Sequence, residues 1–144
     1  MGKTRYAEKT VVERITGVPK AEQSKLIDAV KAGLPYRALL DLQAAFQISR
    51  SEIGKALLVT PSTMSHRKAA GYLRRDESER VVRLDRVLDL AISMMGGDQK
   101  SAATWMRAPR DVLNGESPLL RSATEVGVRD VEDLIGRIRN GVFI

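Results

Sequence analysis

The 144-residue chain has no cysteine and a single histidine, His66. Disulfides and thiolate metal sites are therefore excluded, and one imidazole cannot by itself furnish a histidine metal site or a catalytic triad. Catalysis would have to rest on carboxylates or lysines, and no glycine-rich phosphate loop accompanies them. Aromatic residues make up 4% of the chain, which argues against an RNA binder that stacks bases on exposed rings. No stretch approaches the roughly 20 apolar residues of a membrane span. The opening MGKTRYAEKTVVERITGVPK lacks the apolar core of a secretory signal. A myristoylation signal fails at Tyr6, where serine or threonine is required. The expectation is a cytoplasmic protein that does not engage a membrane, with no cofactor and no metal. Strand signals are sparse too, since the β-branched run KTVVERIT at 9–16 stands alone.

What is present suits a helical domain. Apolar residues are 43% of the chain, enough for a core without staples. The net charge of +6 is unevenly placed. Residues 31–75 carry eight basic and two acidic side chains, whereas residues 76–144 carry ten and twelve. Such asymmetry points to one module that meets a polyanion and a second that does something else.

The periodicity predicts an all-α chain. AEQSKLIDAVKAG places Leu26, Ile27 and Val30 on one helical face and ends at Gly33. A second helix from Pro35 buries Leu39, Leu42 and Phe46, and the two should form a helical hairpin. Ser49 and Glu52 match a capping box before a short helix with Ile53 and Leu57 one turn apart. Thr60 and Pro61 then read as N-cap and first helical position of TPSTMSHRKAAGYL. The longest helix runs through ESERVVRLDRVLDLAISMM, with Val81, Leu84, Leu88 and Ala91 in its apolar stripe, and stops at Gly96 and Gly97. Its wide stripe suits burial in the C-terminal half or a share in dimerisation. Asp98 caps the next helix. Ser117 and Pro118 open another that Gly127 should terminate, and the last carries Val131, Leu134, Ile135 and Ile138 to Gly141. Residues 1–20 read as a poorly ordered arm, 21–75 as one domain and 76–144 as another.

Two short helices joined by a tight turn, the second opening with small polar residues, form a helix–turn–helix pattern. With Met64 packed inward against Ile53 and Leu57, Ser62, Thr63, His66 and Arg67 face outward near the end that reaches base edges. Arg50, Lys55 and Lys68 fall where phosphates would lie. The pattern departs from its usual form in having Leu58 at the turn position that often carries glycine, while Gly54 lies inside the first helix. A solvated basic helix is the plainer explanation of the same residues, and His66 suits a surface position as well as a DNA contact. Asp85 and Asp89 are paired on one helix face, but Arg83 and Arg86 beside them suggest surface ion pairs rather than an enzyme's carboxylates.

Taken together, TPSTMSHRKAAGYL, ESERVVRLDRVLDLA, AATWMRAPRDVLNGESPLL, TEVG and VEDLIGRIRNGVFI resemble the Xre-type antitoxins that carry an MbcA/ParS/Xre toxin-binding region. The resemblance runs from about residue 25 to the last. It implies a homodimeric type II antitoxin that binds the operator of its own toxin gene and neutralises a RES-domain toxin that degrades NAD. The family pattern falls on Trp105, Pro109, Gly115, Pro118, Leu119, Glu125, Gly127, Arg137, Ile138, Gly141 and Phe143. It departs at Arg121, Ser122 and Ala123, where the family tends towards apolar and acidic residues. By residue chemistry alone, Trp105 suits the core better than an interface, and Arg137 suits the dipole of a last helical turn. Val142, Phe143 and Ile144 form an apolar chain end, which either folds back or docks into a partner. With the resemblance, that tail and the final helix are expected to cover the toxin's active site. The rival reading is a helix–turn–helix regulator whose C-terminal module dimerises or senses a ligand.

Overall fold

The computed structural model describes residues 9–141, so residues 1–8 and the tail Val142, Phe143 and Ile144 lie outside the described residues. It is all-α there, with helices α1 (Val11–Thr16), α2 (Gln23–Ala32), α3 (Arg37–Phe46), α4 (Arg50–Leu57), α5 (Pro61–Ala70), α6 (Arg75–Met94), α7 (Gln99–Arg107), α8 (Pro118–Arg121) and α9 (Glu125–Arg139). A 3-10 turn at Asp111–Leu113 precedes α8. The buried side chains form one cluster that runs from Val11 to Ile135.

The N-terminal arm corrects the sequence expectation over 11–16. Its β-branched run is helical, capped reciprocally by Thr10 and Glu13 and closed by a left-handed Gly17. Val11 and Val12 are buried against α3 and α6. The decisive contact is distant in sequence: the Asp85 carboxylate on α6 accepts the N–H groups of Val11 and Val12, each at 3.1 Å. These are donors that a helix start leaves unsatisfied. Asp85 is consequently buried, not a surface partner of its neighbouring arginines. Asp89 does lie nearer the surface, paired with Lys20.

Leu39, Leu42 and Phe46 on α3 are fully buried, as their spacing predicts. The expected hairpin differs: α2 packs chiefly on α6, and Ile27 is left exposed. Between α2 and α3, residues 34–36 run beside 71–73, with Leu73 N–H donating to Leu34 C=O at 2.8 Å and Tyr36 N–H to Gly71 C=O at 2.9 Å. A Cβ on Gly33 would stand 2.3 Å from the Leu73 carbonyl oxygen, so only glycine permits this approach.

The 20-residue α6 is the axis of the molecule, contacting α1, α2, α3, α4, α7 and α9. Its apolar stripe at Val81, Leu84, Val87, Leu88, Ala91 and Ile92 is buried within the chain. Arg83 reaches Glu125 on α9 and donates to the Ala123 carbonyl at 3.0 Å, while Arg86 pairs with Glu132. Gly127 does not terminate α8. It sits in the first turn of α9, where its N–H donates to the N-cap Thr124 hydroxyl at 3.0 Å. A Cβ there would lie 1.9 Å from the Arg121 carbonyl oxygen, so this glycine serves close approach of α8 and α9.

Candidate functional site

Two surfaces collect the sequence-predicted residues. The first is the α4–α5 pair. Ser49 and Glu52 form the predicted capping box on α4, and Thr60 caps α5 with Pro61 at its first position. The turn passes through Leu58 in the left-handed conformation, φ 57, with Val59 N–H donating back to Gly54 C=O at 2.8 Å. The unusual sequence thus retains the turn: leucine accepts a conformation that costs about 1–2 kcal/mol, and glycine is needed one turn earlier. A Cβ on Gly54 would stand 2.9 Å from the Val59 carbonyl oxygen and 3.0 Å from the Met64 methyl.

Met64 is buried, as expected, leaving Ser62, His66 and Lys68 exposed on α5 and Arg50 and Lys55 exposed on α4. Thr63 is half-buried beside Thr60, whose hydroxyl donates to its own at 3.1 Å. Arg67 is elsewhere than predicted: its Nε donates to Glu77 Oε1 at 2.7 Å, and its side chain is largely covered. Burial alone would raise the Glu77 pKa, but hydrogen bonds from Arg67 and the Arg74 N–H, with the positive charge of Arg67, hold it below the ordinary carboxylate value. Arg50 bends back across α5, donating from Nε to Met64 Sδ at 3.2 Å and from Nη2 to Ser65 Oγ at 3.1 Å. Ser65, exposed and one turn from Ser62, is a polar surface residue the sequence reading omitted. Its spacing of three from Ser62 and its place beside Met64 were the available signal. An open, mainly apolar groove of 810 Å³ separates the helices, lined by Arg50, Gly54, Leu58, Pro61 and Met64 among others.

The second surface is C-terminal, and here the predicted residues divide. Trp105, Pro118 and Leu119 are buried and belong to the scaffold. Arg110 lies 4.7 Å from the centre of the Trp105 ring and donates to the Trp105 carbonyl at 3.2 Å, fastening the chain after α7. Pro109, Glu125, Arg137, Ile138 and Gly141 are exposed. Glu125 is engaged by Arg83 and Arg129. Val112, Leu120 and Val126 are also exposed apolar residues and were not predicted; Val126, at 79% exposure, is the barest of the large apolar residues described. Val112 and Leu120 each adjoin a buried leucine and Val126 lies between Glu125 and Gly127, so an apolar residue there is a weak signal on its own.

Family models match both surfaces in tandem. Residues 25–85 match the antitoxin Xre-like helix-turn-helix domain, and residues 83–141 match the antitoxin Xre/MbcA/ParS C-terminal toxin-binding domain. A protein of Yersinia enterocolitica called Antitoxin Xre is 34% identical over 131 residues, covering 90% of this chain and 88% of its own. The chain belongs to the Xre antitoxin family. A second Antitoxin Xre, from Photorhabdus laumondii subsp. laumondii, is 32% identical over 130 residues with the same coverage. An Xre antitoxin is a regulatory and neutralising protein rather than an enzyme. The two family regions overlap at residues 83–85 within α6, so this helix supports both the helix–turn–helix and the toxin-binding part. Among the described residues, no helix is long and apolar enough to cross a membrane, and no group of three potential metal ligands occurs.

Proposed function

We propose that this Xre antitoxin neutralises a RES-domain toxin that degrades NAD and, as a cytoplasmic homodimer, represses its own operon by binding operator DNA. The observation that carries the reading is the tandem match of a DNA-binding and a toxin-binding region across residues 25–141. The basic excess of residues 31–75 supports the assignment of DNA to the first region. Ser62, Thr63 and His66 contact bases, and Lys55 and Lys68 contact phosphates. For the toxin, the exposed residues Pro109, Glu125, Arg137, Ile138 and Gly141 provide the surface, while Trp105, Pro118 and Leu119 hold it in shape. Val142, Phe143 and Ile144, with the final helix, cover the toxin's active site. Residues 21–75 and 76–144 act as the two functional units, with α6 leading the second.

The test is bacterial growth and cellular NAD during expression of the adjacent gene's product, alone, with the full chain, and with a chain ending at residue 140. NAD should fall with the neighbour alone, recover with the full chain and stay low with the shortened one, which should still bind operator DNA. A harmless neighbour, or one that stays toxic beside the full chain, overturns the reading in favour of a helix–turn–helix regulator with a dimerising or ligand-sensing C-terminal module. Recovery with the shortened chain overturns the role of the tail.

A further inference from the structure

Arginine is the side chain best suited to select guanine, because its planar fork donates to O6 and N7 together in the major groove. Arg67 stands in the segment where such a reader is expected, yet its Nε is given to Glu77 and 16% of its side chain is accessible. Its guanidinium is therefore turned to α6. Arg50 shows the opposite arrangement. It belongs to α4, but its Nε–H points at Met64 Sδ and its Nη2–H at Ser65 Oγ, so the exposed side chain crosses to α5 and lies at the border between its buried Met64 and its exposed Ser65. Ser62 and His66, both exposed, share the face of Ser65 at helical spacing.

We infer that Arg50, fastened to α5 through Met64 and Ser65, is a base-reading residue that selects guanine in the major groove. The assignment rests on the proposed DNA-binding role of α4 and α5. Two of the five guanidinium N–H donors are used in fastening, and Nη1 makes no hydrogen bond to any described residue. Those free donors meet O6 and N7 without the side chain having to be ordered first, which conserves specificity that a loose arginine loses to entropy. Lys55, on the same helix and without a contact to α5 among the described hydrogen bonds and ion pairs, is a point charge for phosphate.

Selection of binding sites from a randomised duplex library, followed by affinities for every single-base-pair variant of the selected site, tests this with the full chain. Wild type should enrich a site containing guanine. Arg50→Ala should lose about five- to 150-fold of discrimination at one base pair of each half-site. Lys55→Ala should weaken all sequences alike and leave the preference unchanged. Ser65→Ala should relax the same base pair that Arg50→Ala relaxes. Arg50→Ala that weakens every sequence uniformly, as Lys55→Ala does, overturns the inference while leaving DNA binding intact. A Ser65→Ala chain that keeps full discrimination, or loses it at another base pair, overturns the fastening. A wild-type chain that enriches no sequence overturns both the inference and the DNA-binding reading beneath it.

Discussion

The Arg67–Glu77 pair gives the most direct measure of what holds the second helix of the motif in place. Glu77 is 5% exposed at the start of α6, and Arg67 lies near the end of α5. Replacing Arg67 by alanine strands a buried carboxylate that retains the Arg74 N–H at 2.8 Å. Removing one partner of a fully buried pair costs about 3–5 kcal/mol. The surviving hydrogen bond and the 16% exposure of Arg67 argue for the lower end, about 3 kcal/mol. For a chain of this size that is a fall in Tm of about 6–12 °C. Glu77→Gln should cost less, because the freed arginine can swing its charge into water, which the buried carboxylate cannot do.

Urea unfolding of wild type, Arg67→Met, Glu77→Leu and the Arg67→Met/Glu77→Leu double variant closes a cycle in which the double variant recovers most of the loss, with Arg67→Ala and Glu77→Gln measured beside it. The pH dependence has a fixed sign. The Glu77 pKa is lowered in the folded state, so the pair contributes fully above the unfolded carboxylate value, about 4.3, and its contribution disappears as pH falls through the lower folded value. The gap between wild type and Arg67→Ala should therefore narrow in acid. A loss below about 1 kcal/mol at neutral pH, or a gap that widens in acid, would refute the buried-pair argument.

Other contacts lead to equally concrete expectations. Gly127→Ala places a Cβ 1.9 Å from the Arg121 carbonyl oxygen, so the α8–α9 junction must shift; we expect a cost of about 3 kcal/mol in urea unfolding and weaker toxin binding, and a wild-type midpoint would contradict the geometry. Asp85→Asn retains one acceptor oxygen where two now receive Val11 and Val12, so amide exchange at residue 11 or 12 should accelerate while the α9 amides stay protected. DNA affinity should fall steeply between 50 and 200 mM salt through counterion release, and affinity independent of salt would remove the electrostatic argument for residues 31–75.

The helices and caps were legible because their causes are local. Ser49 with Glu52, Thr60 with Pro61, and Asp98 before α7 each satisfy a helix start within three residues, and the structure has all three. The buried faces of α3 and α6 followed from apolar spacing. Helix α1 also has a local signal, the Thr10–Glu13 capping box closed by Gly17, which its β-branched run masked; only the Asp85 carboxylate that completes its start lies 74 residues away. The rest of what escaped the sequence has its cause elsewhere in the chain. Gly127 resembles a helix terminator until the Arg121 carbonyl is placed beside it. Arg67 and Arg50 both look like surface cations, and their separation into one turned towards α6 and one laid along α5 depends on Glu77 and Ser65. Charge spacing gives the face of a helix, but the neighbouring helix decides which cation stays free.

The same logic sorts the C-terminal motif. In WMRAPRDVLNGESPLL, Trp105, Met106, Leu113, Ser117, Pro118 and Leu119 are buried, so these six residues build the connection from α7 to α8 rather than present a surface. Substitutions at these buried positions should reduce stability and toxin binding together. Helix α6 has that double character to a greater degree: Glu77 holds α5, while Arg83 and Arg86 hold α9. Variants that separate DNA binding from toxin neutralisation must therefore come from exposed side chains with no such attachment. Ser62 and His66 meet that condition on α5, and Val126 and Ile138 meet it on α9. Changing Ile138 to aspartate should weaken the toxin complex and spare DNA binding and Tm; loss of all three together would show that α9 is part of the common scaffold along its whole length.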